Sequence, residues 1–297
     1  MSWLLAIGIG VLAAIVVGYL GVLIAAGVVS LFPPRVFQFL SPGQLGYKQE
    51  NVRFDTEDGV SLAAWWVPQE SDTVVIACHG YLVNRSEWVS TITFLGPHKI
   101  SCLFFDHRRQ GSSGGTKVGL GQSERADVHA AIEFVKSRKP NARIVLLGSS
   151  LGGVAAVLAA AEKPETVDAL ILDAPYRTLD EALRGWWPFL LGKTWATLLS
   201  PTRWIARVML GFRPADVRVD RALQKLHDKP ILLSYGDRDP LVPKESIERM
   251  VESSGPNTKL LLFEGATHGA GRMADPARFR NEVLDFLKSY DLIKSEN

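Results

Sequence analysis

Hydrophobic positions along the chain fall into three regimes. From Trp3 to Phe32 no charged residue occurs, and Leu, Ile, Val, Ala and Gly dominate. As a helix this stretch would run about 45 Å, more than the roughly 30 Å hydrocarbon core of a bilayer. Pro33 and Pro34 end it, because proline lacks the amide donor and restrains the residue before it. The stretch up to Tyr47 reads as a linker. The second regime begins there. Asn51–Thr56 and Ser61–Val67 flank Glu57-Asp58-Gly59, a hairpin signal. Short apolar runs follow at Thr73–Cys78, Ser101–Phe105, Ile144–Leu147, Ala169–Leu172, Pro230–Ser234 and Lys259–Phe263. Runs without polar alternation indicate strands covered on both faces. Helical patterns lie between most of them, near Arg85–Phe94, Glu124–Ser137, Leu151–Ala161, Lys244–Glu252 and Pro276–Lys288. The alternation predicts an α/β chain with a mostly parallel, eight-stranded sheet and helices on both faces.

The third regime interrupts this alternation. About 50 residues separate the strand ending at Leu172 from the one starting at Ile231, too many for a simple crossover. They are rich in large apolar side chains, including Trp186, Trp187, Phe189, Trp195, Leu198 and Trp204. We read a helical insertion, 176–228, lying over the ends of the strands. The domain plan is therefore a transmembrane anchor at 1–34 and a single domain at 35–297 that carries this cap.

Composition narrows the picture. With 33 basic and 31 acidic residues the net charge is +2, so no bulk field favours nucleic acid. Cys78 and Cys102 fall in strand cores and read as small buried hydrophobes. Nothing basic precedes Trp3, and the apolar run is longer than a signal peptide's core. An uncleaved single-pass anchor is therefore expected over a signal peptide or a buried soluble helix. Arg35, Lys48 and Arg53 follow it, which by the positive-inside tendency puts the folded domain in the cytoplasm. Ala14-x-x-x-Gly18 and Gly21-x-x-x-Ala25 have the spacing that lets membrane helices approach. Small residues are common in such spans, so this leaves only weak homo-association through the anchor as an expectation.

Candidate chemistry centres on Gly148-Ser149-Ser150-Leu151-Gly152, a G-x-S-x-G string. The pattern suits a nucleophile on a strained strand-to-helix turn, with small neighbours relieving the crowding. The helix behind it offers free N–H groups to a developing oxyanion. Gly111-Ser112-Ser113-Gly114-Gly115 fits the same string, so the string alone decides nothing. No apolar helix follows Ser113, and we read it as a flexible loop, whereas Ser150 has a strand before it and an Ala-rich helix after it. A serine hydroxyl needs a base, and the base needs a partner to fix its tautomer. His268, in a loop directly after the last strand, lies at the same sheet edge as Ser150; His98, His129 and His227 fall on or beside polar helix surfaces. Asp237 and Asp239 follow another strand and compete for the acid role, with Asp173 a third candidate. The chain order Ser, Asp, His is then satisfied.

These motifs together resemble the α/β-hydrolase superfamily over about Asn51 to Tyr290, and within it the membrane-anchored serine hydrolases. Cys78-His79-Gly80-Tyr81 is similar to the family's oxyanion turn. Asp106 to Ser113 is similar to its Asp-Tyr-Arg-Gly-x-Gly-x-Ser segment, with Arg109 and Gln110 where Gly and His are usual. Gly236-Asp237-Arg238-Asp239-x-x-Val242-Pro243 is similar to its acid loop, where the aspartate three residues after the glycine is the acid. The resemblance thus favours Asp239 over Asp237. It implies a Ser150–His268–Asp239 triad, with the backbone N–H groups of Tyr81 and Leu151 as the oxyanion hole and His79 as a support of the turn. It also implies two-step acyl transfer with no cofactor and no metal. An aromatic, Leu-rich cap on a tethered enzyme suggests an apolar acyl or lipid ester as substrate. The same tryptophans would equally suit the cap's own core or a bilayer surface. A prolyl-oligopeptidase-like peptidase and a non-catalytic binding protein on the same scaffold are the alternatives. A serine at the elbow disfavours dehalogenase and epoxide-hydrolase chemistry, which use aspartate there.

Overall fold

A computed structural model describes residues 3–294. The elements run α1 (Trp3–Leu31), β1 (Glu50–Asp55), β2 (Ser61–Val67), β3 (Thr73–Cys78), α2 (Ile92–Leu95), β4 (Ser101–Phe105), α3 (Glu124–Arg138), β5 (Arg143–Ser149), α4 (Ser150–Glu162), β6 (Ala169–Asp173), α5 (Leu179–Leu199), α6 (Thr202–Leu210), α7 (Val219–Gln224), β7 (Ile231–Gly236), α8 (Lys244–Ser253), β8 (Thr258–Phe263), α9 (Gly271–Ala274) and α10 (Pro276–Ser289). Eight strands form one sheet in the order β1-β2-β4-β3-β5-β6-β7-β8. The β1–β2 and β2–β4 pairs are antiparallel and all others are parallel. The mostly parallel sheet is the one that the alternating pattern predicts, and the whole is the α/β-hydrolase fold that the resemblance of the motifs implies.

Period-two geometry explains the two cores. Along β5, Ile144 and Leu146 face one layer, built mainly with α3, α4, α7 and α8. Val145 and Leu147 face the other, where Trp88, Phe279 and Phe286 pack. Both faces of the central strands are covered, so those runs need no polar alternation. Cys78 and Cys102 are buried on opposite faces and unpaired. One expectation fails at the edge. The run Lys259–Phe263 predicts a strand covered on both sides, yet Leu260 and Leu262 are exposed. β8 ends the sheet and only its Leu261–Phe263 face is roofed, by α10.

Pairing fixes where chemistry can assemble. Cys78 lies beside Gly148, Ser149 beside Asp173, and Gly236 beside Phe263. The carboxyl ends of β3, β5, β6, β7 and β8 therefore form one edge, and the loops beyond them meet there. The insertion forms α5 and α6 above this edge, with α5 broken at Gly192 by a φ of 76°, whereas α7, inside the expected 176–228 cap, packs on α4 and α8 in the layer that flanks the sheet.

The apolar N-terminal segment is a continuous helix, long and apolar enough to cross a membrane. Its last turns do not stand apart from the domain. Leu23, Gly27 and Leu31 are buried, and the Leu31 carbonyl accepts the Val118 amide at 3.0 Å. The segment after it is docked along the surface. Arg35 donates to the carbonyls of Gly111 and Ser113, and Asn84 donates to those of Val36 and Phe37.

Candidate active site

Strand β5 ends at Ser149 and α4 begins at Ser150, with no residue between them. So abrupt a turn forces Ser150 to a φ of +46°, a conformation that costs an L residue about 1–2 kcal/mol. Gly152 lies where α4 passes under the turn after β3. A Cβ there would run into the carbonyl oxygens of Cys78 and His79. The strain presents the Ser150 hydroxyl above the sheet edge, beside the positive end of α4.

His268 sits in the loop after β8, and its Nε2 is 2.8 Å from Ser150 Oγ. Its Nδ1 is 2.7 Å from Asp239 Oδ2. A carboxylate can only accept, so Nδ1 carries the proton and the Nε2 lone pair faces the serine hydroxyl. The other Asp239 oxygen accepts the amides of Leu241 and Val242, at 2.8 and 3.1 Å, which fixes the carboxylate plane. The competing aspartates are occupied elsewhere. Asp237 accepts the Gly265 amide and ties the two loops together, while Asp173 accepts from Ser234 and Arg272.

Known proteins share this architecture. The family model of the serine aminopeptidases S33 matches residues 69–211. An esterase of Pyrococcus furiosus superposes with a TM-score of 0.75 at 27% identity, covering 88% of this chain and 98% of its own. The alpha/beta hydrolase domain-containing protein WAV2 of Arabidopsis thaliana is 24% identical, over 84% of this chain and 82% of its own. The uncharacterized protein YqkD of Bacillus subtilis is 26% identical, over 74% and 72%. The chain belongs to the α/β-hydrolase superfamily. Its fold and its relatives support hydrolase chemistry.

Tyr81 and Leu151 line the same pocket as Ser150. Leu151 lies in the first turn of α4, where N–H groups have no intrahelical acceptor. Tyr81 follows β3, and its neighbours' amides are engaged: Gly80 donates to Glu87 and Leu82 to Gln110. Its own amide donates to no group among the described residues. His79 is fully buried beneath this turn. Its Nε2 accepts the His107 amide at 2.9 Å, so its Nδ1–H donates to the Gly80 carbonyl at 2.7 Å. Burial, reinforced by the neighbouring His107, pushes its pKa down to about 4, so it stays neutral. With both nitrogens committed it supports the turn and cannot serve as a second base.

A charge cluster behind the turn has no signature in the sequence. Glu87 accepts the Gly80 amide and the Ser149 hydroxyl, at 2.7 and 2.9 Å, and pairs with Arg272. Arg272 also donates to Asp173 at 2.9 Å and lies over the Trp88 ring. The oxyanion turn, the elbow, the end of β6 and the loop carrying His268 are thereby held by one connected group. Its members are far apart in the chain, and no local spacing joins them.

The Ser113 segment also differs from expectation. It is not a flexible loop: Ser113 is buried, donates to the Asp106 carbonyl at 2.6 Å and accepts the Ala63 amide at 2.8 Å. Arg109, standing where the family often has glycine, adopts a φ of +67°. Glycine adopts this left-handed conformation without steric cost, an ease that the Arg109 side chain does not share.

A pocket opens over Ser150 and Leu151. Leu179, Leu183, Trp186 and Trp187 from α5 and Arg203 and Ala206 from α6 line it, with Tyr81 and Tyr176. Two more lining residues, Gly27 and Ser30, come from α1. The Ser30 carbonyl accepts the Tyr81 hydroxyl at 2.8 Å. The walls are mainly apolar, and Trp186 stacks edge-on against Tyr81 at 5.1 Å.

Proposed function

We propose that this chain is a membrane-anchored serine hydrolase that cleaves carboxylic esters of apolar acyl groups. One observation carries the reading: His268 bridges the strained Ser150 hydroxyl and the buried Asp239 carboxylate at hydrogen-bond distances on both sides. Ser150 Oγ attacks the ester carbonyl while His268 Nε2 takes its proton, and Asp239 stabilises the imidazolium. The amides of Tyr81 and Leu151 hold the oxyanion, a contribution typically of about 3–4 kcal/mol per donor. Collapse expels the alcohol, which takes the proton from His268. Water then repeats the cycle on the acyl-enzyme and releases the acid. The apolar pocket walls support an apolar acyl group, and the esterase of Pyrococcus furiosus supports ester chemistry.

The family model that matches 69–211 raises a second reading, an aminopeptidase. Such an enzyme must hold a substrate ammonium group, for which a carboxylate is the natural partner. Among the described residues lining the pocket the charged side chain is Arg203, of the wrong sign. The ester reading is therefore preferred. The anchor reading draws support from the buried end of α1, because removing α1 would strip Gly27 and Ser30 from the pocket. Arg35, Lys48 and Arg53 favour a cytoplasmic domain.

Fluorophosphonate labelling tests the nucleophile. Wild type labels and Ser150→Ala does not; undiminished labelling of the variant refutes the assignment. On p-nitrophenyl esters of rising chain length, octanoate is turned over with a higher kcat/KM than acetate, and the reverse preference counts against an apolar acyl site.

A further inference from the structure

The pocket wall supplied by α1 sets where the substrate comes from. Tyr19 of α1 donates to the Leu198 carbonyl at the end of α5, at 2.6 Å. From there to Leu31 the helix runs alongside the cap. At Gly27 the approach to α6 is so close that an added Cβ would lie 2.8 Å from Ile205 Cγ2. The part of α1 beyond the cap, Trp3–Gly18, is roughly 24 Å long at 1.5 Å per residue, short of the roughly 30 Å a bilayer's hydrocarbon requires. With α1 in a bilayer, the cap that flanks its C-terminal half lies at the membrane surface.

The surface of that cap fits such a location. Trp195, Trp204 and Val208 are 60%, 58% and 82% exposed, beside exposed Leu190, Leu191 and Leu198. Leu198 of this face meets Tyr19 of α1, whose side chains from Trp3 to Leu20 are exposed. Between Glu181 and Asp216 the chain contains no acidic residue; Arg184 pairs back to Asp180, and Lys193, Arg203, Arg207 and Arg213 remain as cations of this segment. Tryptophan beside cations suits the headgroup zone of an anionic bilayer.

We infer that the α5–α6 hairpin is embedded with α1 in an anionic phospholipid surface, and that the cleft between α1 and α6 admits the acyl chain of a membrane-resident ester laterally to Ser150. Gly27, Ser30, Trp186 and Ala206 form the passage, and the headgroup side of the substrate meets Arg203. The inference rests on Ser150 being the nucleophile. It adds that the anchor is part of the acyl site and not merely a tether.

Two measurements on the full chain, reconstituted in 4:1 phosphatidylcholine:phosphatidylglycerol vesicles, decide it. In the first, Trp204→Cys carries an environment-sensitive NBD dye; Cys78 and Cys102 are buried and do not compete. Quenching by doxyl-labelled lipid, and not by aqueous iodide, is expected; the opposite pattern overturns the embedding. In the second, Gly27→Leu narrows the cleft and lowers the octanoate-to-acetate ratio of kcat/KM by about tenfold, the worth of one or two buried methylenes. Gly18→Leu, where the helix has open space, leaves both rates at wild-type values. An unchanged ratio in a Gly27→Leu protein that still labels with fluorophosphonate overturns the α1 wall. Should that variant fail to label, Ala206→Phe on the facing wall is read by the same criterion. Failure of the wild type to label would instead sink the serine-hydrolase reading and leave the dye measurement to report on embedding alone.

Discussion

At the scale of single residues, two histidines of this hydrolase differ in the company they keep. His268 has a carboxylate on one nitrogen and a hydroxyl on the other. His79 has only backbone partners and no solvent, and burial holds its pKa near 4 against an ordinary 6.5. An unfolded chain therefore takes up a proton at position 79 in a pH range where the folded chain does not. The stability this residue contributes is fully present above pH 6.5 and is lost as pH falls toward 4, by at most about 3 kcal/mol. His79→Asn should accordingly destabilise the protein most at neutral pH, with the wild-type advantage shrinking between pH 6.5 and 4. Thermal melts across that range check it, and an advantage that grows on acidification contradicts it. The sequence placed His79 in its turn by resemblance. Its lack of a free nitrogen depends on the His107 amide, 28 residues away, which no local pattern reports.

At the scale of elements, β5 and α4 form the strand–turn–helix that the five-residue motif requires. The motif occurs twice, and only one copy joins a strand to an Ala-rich helix. The other holds its serine buried between β2 and the end of β4. Steric crowding at the Ser150 elbow yields a direct prediction. Gly152→Ala drives a methyl group into the carbonyls of Cys78 and His79. It should cost about 3 kcal/mol or more, since backbone cannot step aside as a side chain can. A fall in melting temperature together with slowed fluorophosphonate labelling is the expected outcome; a variant with wild-type melting would show that the elbow has slack. β8 illustrates the opposite limit of the sequence pattern. Its apolar run describes side chains but not sheet position, and an edge strand leaves half of them in solvent.

At the scale of the whole molecule, the junction between α1 and the domain matters most. Leu31 is fully buried in the core layer that also contains Val154 and Leu210, although it closes a helix otherwise largely uncovered. Leu31→Ala should destabilise the domain by about 2–5 kcal/mol through lost burial and the cavity left behind. The same change at Leu12, on the free part of α1, should leave the melting temperature of the detergent-solubilised protein unaltered. Equal effects at both positions would mean that α1 does not belong to the folded core.

The sequence by itself determined the order of elements, the parallel sheet, the elbow at Ser150 and the long apolar helix. Each is written in local periodicity, spacing or steric demand, and each survives whatever the rest of the chain does. Among three aspartates it could only rank Asp239 first by likeness. Contact with His268 depends on how the loops after β7 and β8 converge, and that convergence follows from strand register. Tertiary structure alone decided the Glu87–Arg272–Asp173 cluster and the entry of α1 into the pocket wall. Both join residues whose chain separation exceeds any sequence period, and both exist only once the sheet has aligned its carboxyl ends and the cap has closed over them.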